Sequence, residues 1–174
     1  MSLVDRVHAF DETVEKWLEQ YRTDTLDAVF YGLSNAGDHG KVWHVLGAAR
    51  ALRRRQPRYA IRFSTALGLE SAFTNGLVKS LFRRVRPLEH FVHDRPLPYR
   101  MRRPITSSFP SGHAVTGFMC SVVLAKDTRA APLYVGLAAL IAASRVYTRM
   151  HHPSDVIAGA ALGLALGHVV KPHV

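Results

Sequence analysis

The chain has 174 residues, and 23 Lys and Arg against 13 Asp and Glu give a formal charge of +10. That length suits one domain with a real core and leaves too little for two. A basic excess admits nucleic acid, an anionic membrane surface or an anionic substrate as partner; with no aromatic-rich strip or nucleic-acid module beside it, nucleic acid is set aside.

Apolar residues make up 48% of the chain, yet mean hydropathy is near zero. The average hides strongly apolar segments alternating with very basic ones. The single cysteine, Cys120, has no partner for an internal disulfide and leaves the redox compartment unread. The N-terminus is polar and acidic, without the apolar core of a secretory signal. A membrane location is therefore expected to rest on the chain's own helices.

Residues 4–21 carry Val4, Val7, Phe10, Val14, Trp17, Leu18 and Tyr21 at helical spacing, with acids and Lys16 on the other face. This predicts an amphipathic N-terminal helix over 1–22, packed on a bundle or lying at a membrane interface. Thr23-Asp24 reads as a helix start, and 26–33 as a short helix. Residues 35–40 form a turn cluster, and 42–52 another helical run. Three arginines and Pro57 break that run, and 59–82 reads as one long helix. Residues 83–110 hold five prolines, many arginines and no lasting periodicity. A long connection of this kind in a small domain suggests an active-site loop. Its His90 and His93 are candidates to touch a substrate. Helices are predicted over 111–125, 131–147 and 155–170. The last three are apolar nearly all round, close to bilayer-crossing length, and dense in Gly and Ala, as close-packed membrane helices are. The expected architecture is a single all-α domain over 1–174, a membrane helical bundle of about five to six helices with an amphipathic N-terminal helix.

Three patterns stand out in order: Lys79, six residues, then Arg86-Pro87; Pro110-Ser111-Gly112-His113; and Ser144-Arg145, five residues, His151, three residues, Asp155. Taken singly, each has a bland reading, since a lone Lys or Arg is usually solvated and P-S-G-H usually a turn and helix start. Their places in the helix order change this. The first lies at a helix end, the second at the next start, the third at an end and the following start. In an up-down bundle all four fall on one face. Ser111 suits an N-cap, so the Gly112 and His113 N–H groups and the helix dipole would attract an anion. Lys79, Arg86 and Arg145 add fixed charge, the arginines through a fork that matches two phosphate oxygens. Such a cradle stabilises a phosphoryl group in flight. Two histidines then share the chemistry: His151 as nucleophile, with Asp155 four residues on to fix its tautomer, and His113 as general acid. His151-His152 lacks an H-E-x-x-H pattern or carboxylate cluster, so neither metal nor cofactor is expected. His8, His39, His44, His168 and His173 are read as structural.

These residues resemble the type 2 phosphatidic acid phosphatase family, which shares its site with vanadium haloperoxidases and class A acid phosphatases. No defining position departs from the three-motif pattern, which spans Lys79 to Asp155. The resemblance implies a haloperoxidase-like helical core and metal-independent phosphatase chemistry through a phosphohistidine. It implies His151 as nucleophile, His113 as acid and base, Asp155 as orienter, and Lys79, Arg86, Ser111, Gly112 and Arg145 as phosphate ligands. The apolar helices look like the integral-membrane branch, acting on a lipid phosphate or diphosphate of polyprenyl or glycerolipid type. A soluble acid phosphatase or a vanadate-dependent haloperoxidase is the alternative with the same site. A non-catalytic binder of anionic lipid would not need the His-His-Asp set. Basic turns at 53–62 and 126–129 lie on the face opposite the site and mark it as cytoplasmic. The expected location is thus a bacterial cell membrane, with the site facing outward.

Overall fold

The computed structural model describes residues 1–87 and 104–174. No strand occurs among them. The helices are α1 (Leu3–Glu19), α2 (Asp24–Gly37), α3 (Lys41–Arg53), α4 (Pro57–Ala72), α5 (Gly112–Leu124), α6 (Ala131–Tyr147) and α7 (Pro153–Val170). An amphipathic N-terminal helix followed by six more is the all-α bundle expected from the periodicities. The middle of the 83–110 loop, with His90 and His93, lies outside the described residues.

Local chemistry sets most boundaries. Ser2 and Asp5 form a capping box that starts α1. The Thr23 hydroxyl accepts the Leu26 N–H and starts α2. Pro57 and Pro153 each open a helix, where a missing N–H costs nothing. Between α2 and α3 the chain reverses within Asp38–Gly40, where His39 and Gly40 both take positive φ. One expectation needs correction: the helix predicted over 59–82 is not uniform. α4 ends at Ala72 and continues as a π-helical turn, Phe73–Val78, then a 3-10 turn, Lys79–Leu81. The buried Glu70 accepts the Thr74 hydroxyl at 2.8 Å in this stretch, and Gly76 within it has little helix preference.

α5 is the central rod, with Ala114, Val115, Met119, Cys120, Val123 and Leu124 all buried. Trp43 of α3, Phe63 and Leu67 of α4, and Ile141 of α6 pack around it. Its far end is tied by Arg50 of α3, whose guanidinium donates to the Leu124 and Lys126 carbonyls at 2.5 and 2.6 Å. These are C-terminal carbonyls without helical partners, and a cation suits them.

α7 meets α5 along Gly159, Gly163 and Gly167. A Cβ on Gly163 would stand 2.4 Å from the Val115 carbonyl oxygen, and one on Gly159 2.6 Å from the Ser111 carbonyl oxygen. Only hydrogen fits there, so the two backbones approach as closely as helices can.

The apolar stripe of α1 divides. Val4, Phe10, Trp17 and Tyr21 are exposed, whereas Val7, Val14 and Leu18 are partly buried beside Asp11, the buried residue of α1. α1 lies on α6 and α7 through acidic residues: Glu15 and Glu19 hold Arg149 at 3.0 and 2.8 Å. Periodicity alone could not separate a core-facing stripe from an outward one.

Gly163→Ala should force α5 and α7 apart and destabilise the chain by about 1–3 kcal/mol, as overpacking does. Gly136 of α6 has open space where a Cβ would go, so Gly136→Ala should be neutral or slightly stabilising. Thermal unfolding in detergent of the two variants side by side checks this.

Candidate active site

One cavity of about 1040 Å³ gathers Lys79, Arg86, Gly112, His113, Arg145 and His151 on its wall. The other two residues expected at the site stand just behind it, fully buried. Ser111 is the N-cap of α5, but its hydroxyl makes no capping bond and has no partner among the described residues. Asp155 sits in the first turn of α7, and its Oδ2 accepts the His152 backbone N–H at 2.9 Å.

The turn after α6 fixes His151. The Arg145 carbonyl accepts both the Met150 and the His151 N–H at 3.0 Å, which turns the imidazole inward. Its Nδ1 lies 2.7 Å from the Ser108 carbonyl oxygen, and its Nε2 lies 3.2 Å from Nη1 of Arg86. A carbonyl only accepts and a guanidinium only donates. Both contacts therefore assign the same tautomer, with the proton on Nδ1 and a lone pair on Nε2. Asp155 Oδ2 stands 3.7 Å from Nδ1, beyond hydrogen-bond length. Here the nearer tautomer-fixing group is a backbone carbonyl, with the carboxylate acting on the ring through its charge. Burial, offset in part by Asp155 and reinforced by Arg145, Arg86 and Lys79, brings the His151 pKa down to about 3. The ring is thus neutral and its Nε2 unprotonated across ordinary pH.

The Ser108 carbonyl is held in place by the loop ends. Ser108 N–H donates to the Arg84 carbonyl at 3.0 Å, and the Ser107 hydroxyl accepts the Arg84 N–H at 3.2 Å. Arg86 reaches back with Nη1 to the Met150 carbonyl at 2.6 Å, and with Nη2 to the Thr106 and Ser107 carbonyls at 3.3 Å. Its fork thus ties the first motif, the loop and the His151 turn together.

The cations face a prepared anion site. Lys79 and Arg145 are buried charges, and Arg145 donates to the Ser34 hydroxyl while its Nε has no partner among the described residues. Gly112 lies between Asn75 and Lys79: a Cβ there would be 3.4 Å from Asn75 Oδ1 and 3.8 Å from Lys79 Nζ. Leaving that Cβ out keeps the first N–H groups of α5 open to a ligand.

Two residues of evident importance were not read from the sequence. Asp38, in the α2–α3 turn, places Oδ1 3.0 Å from His113 Nε2 and 4.0 Å from Arg145 Nη1. Its partial burial works to raise its pKa, but the His113 and Arg145 contacts outweigh that and hold the carboxyl below its usual range. An ionised carboxylate only accepts, so His113 Nε2 carries the hydrogen and Nδ1 is left for a ligand. Asp38 fell within a cluster of turn residues, and nothing local marked it. Arg84 lies among the unspecified positions of the first motif, yet its Nη1 is 2.6 Å from Asp155 Oδ1.

Comparison with known proteins gives the chain's family and fold. The model of the PAP2 superfamily matches residues 59–173. The decaprenylphosphoryl-5-phosphoribose phosphatase of Mycobacterium tuberculosis is 34% identical over 142 residues, covering 80% of this chain and 75% of that protein. The protein of the same name from Mycolicibacterium smegmatis is 31% identical over 130 residues, with 73% and 67% covered. Among solved structures, the transmembrane PAP2-type phosphatidylglycerolphosphate phosphatase of Bacillus subtilis superposes with a TM-score of 0.75 at 24% identity, over 97% of this chain and 86% of that one. LpxE of Aquifex aeolicus gives 0.70 at 24% identity, over 91% and 92%. Family match, fold and cradle converge: the chain belongs to the PAP2 superfamily and is a phosphatase of its lipid-phosphate-hydrolysing kind.

Proposed function

We propose that the chain removes the phosphate of a prenyl-linked sugar phosphate at a membrane surface, through a phosphohistidine and without a metal. The observation that carries this is His151: a neutral ring with its proton committed to Ser108 and an unprotonated Nε2, faced by Arg86 at 3.2 Å, on the wall that also bears Lys79 and Arg145. Nε2 attacks phosphorus in line, and the bond to the leaving oxygen breaks. The three cations and the Gly112 N–H take the charge on the equatorial oxygens. With the phosphate anion bound beside it, His113 takes up a second proton on Nδ1; that proton passes to the leaving oxygen, while Asp38 accepts from Nε2 and steadies the cationic form. Water then gives a proton to His113 and attacks; the P–N bond breaks, and inorganic phosphate leaves.

The choice of substrate rests on the cavity's size and lining. It is much larger than a phosphate needs and of the order of a whole-ligand site. Beyond the cations its wall carries Ser64 and Ser71 of α4, Asn75 of the π turn, Thr116 of α5, and His44, whose Nδ1 is 3.0 Å from the Ser64 hydroxyl. These are groups for hydroxyls rather than for an acyl chain. The mycobacterial relatives are named for decaprenylphosphoryl-5-phosphoribose, which unites a prenyl chain with such a headgroup.

A membrane setting accounts for the outer surface. α7 is long and apolar enough to cross a bilayer, and α5 and α6 are shorter apolar helices. Leu69, Leu77 and Leu81 beyond or along α4, Leu133 and Leu140 on α6, and Ile157 and Leu164 on α7 are all exposed. So much outward apolar surface suits lipid better than water. The exposed Trp17 and Tyr21 of α1 suit the interface between the two. The site then faces away from the side carrying the basic turns at 53–62 and 126–129, which the positive-inside rule makes cytoplasmic.

The deciding experiment is a phosphate-release panel in detergent with EDTA present throughout. Prenyl-linked pentose phosphate should turn over fastest, ahead of polyprenyl diphosphate, phosphatidate and phosphatidylglycerol phosphate. No release until Mg²⁺ or Zn²⁺ is added would overturn the mechanism. His151→Ala should lose all turnover and keep its melting curve; surviving activity would take the nucleophile role from His151. Asp38→Asn should lower kcat about tenfold on an alkyl phosphate, the size of contribution general acids make at the low end. On an aryl phosphate, whose leaving group needs no proton, the loss should be small.

A further inference from the structure

The described structure contains one buried carboxylate, Asp11, that lies outside the residues matched to the family and wires directly into the catalytic pair. It is 2% exposed. Its Oδ1 accepts the Ser154 backbone N–H at 2.8 Å, and its Oδ2 accepts the Ser154 hydroxyl at 2.7 Å. The same Oδ2 is 2.5 Å from Arg84 Nη2, and Arg84 Nη1 is 2.6 Å from Asp155 Oδ1 and 2.7 Å from the Ser154 hydroxyl. Asp155 in turn faces His151 Nδ1 across 3.7 Å. Four residues on, Glu15 takes His152 Nδ1 at 2.7 Å and Arg149 at 3.0 Å. The buried side of α1 therefore runs along the turn that presents the nucleophile.

We propose that Asp11 is a positioning residue for the catalytic carboxylate, acting through Arg84 to keep a net negative charge behind His151. The argument is one of formal charge. Arg84 with Asp155 alone is a neutral pair, and an adjacent guanidinium competes with the imidazole for the carboxylate's field. Adding Asp11 leaves the trio one negative charge in excess. When Nε2 bonds to phosphorus while Nδ1 keeps its proton, the ring becomes cationic. A buried charge of that kind needs an opposite one close by. Asp11 supplies it from a helix that does not touch the cavity. A purely structural role, holding the first turn of α7, is the competing account, and it predicts different results.

This inference rests on the phosphohistidine reading, but it can be tested without turnover. Orthovanadate takes the trigonal-bipyramidal shape of the transferring phosphoryl group and bonds to the nucleophile, whereas inorganic phosphate only occupies the cradle. Equilibrium dialysis of the full chain in detergent measures both. Asp11→Asn should weaken vanadate about tenfold and leave phosphate unchanged, a loss like that seen when a group orienting a ligand is removed. Where substrate turns over, kcat should fall and KM stay. The Asp11→Asn, Arg84→Gln pair again leaves one net negative charge at Asp155 and should recover vanadate affinity close to that of the wild type. Unchanged vanadate binding in Asp11→Asn, parallel loss of both anions, or a double variant weaker than the single would each overturn the proposal. Should Asp11→Asn fail to fold, the double variant against the wild type decides alone. Absent phosphate release by the wild type would instead count against the proposed reaction.

Discussion

Everything at the site depends on how closely α5 and α7 approach. Gly159, Gly163 and Gly167 let α7 press its backbone against the carbonyls of Ser111, Val115 and Met119. The two helix N-termini thereby come to one face, one opening on Gly112 and His113, the other on Asp155. The Ser111 N–H even donates to the Asp155 carbonyl at 3.0 Å, so the two starts are directly joined. Helix starts are where N–H groups are free and the dipole favours an anion. At α7 the Ser154 N–H is taken by the Asp11 carboxylate, so it is the start of α5 that faces the cavity, and its packing on α7 holds it there.

The cations then act against the fold. Lys79, Arg86 and Arg145 are all buried on one wall, and taking like charges out of water together is costly. The structure offsets this with four neutral carbonyl and hydroxyl oxygens around Arg86 and Arg145, and with the partly exposed carboxylate of Asp38. A full set of carboxylates would stabilise the empty protein better and would also fill the site. With Asp155 behind the wall, and Asp38 on it but paired first to His113 at 3.0 Å, the cations are left mainly for the ligand. This arrangement also leaves the apo protein with a large gain in store when an anion enters.

The sequence made the cradle legible because its residues sit at helix ends or, for Arg86, a few residues beyond one, and such ends follow from apolar periodicity and from Pro and Gly positions. Knowing which ends lie together required only the up-down order. The contacts that crossed from the N-terminal third were not legible. Asp38 meets His113 and Asp11 meets Arg84 across 75 and 73 positions of sequence, and no local pattern signals such pairs. The Ser108 carbonyl is a backbone atom, invisible to any reading of residue types. The apolar stripe of α1 is plain in the sequence, but which of its residues face the protein is not, since lipid and protein core are equally apolar. The break in α4 was missed for a different reason: a π turn needs no proline and leaves the apolar spacing almost intact.

That π turn has an effect on chain length. A wider turn accommodates one residue more than an α-helix would over the same rise. Each residue of an ordinary helix advances the chain by about 100° around its axis. Residues downstream of Phe73–Val78 are therefore set in angular phase by the size of that segment. Removing a single residue there would swing Lys79 and the start of the first motif away from α5, although every motif would remain intact. Insertions and deletions between Ala72 and Lys79 should accordingly be tolerated far less than substitutions, making spacing itself an inherited part of the enzyme.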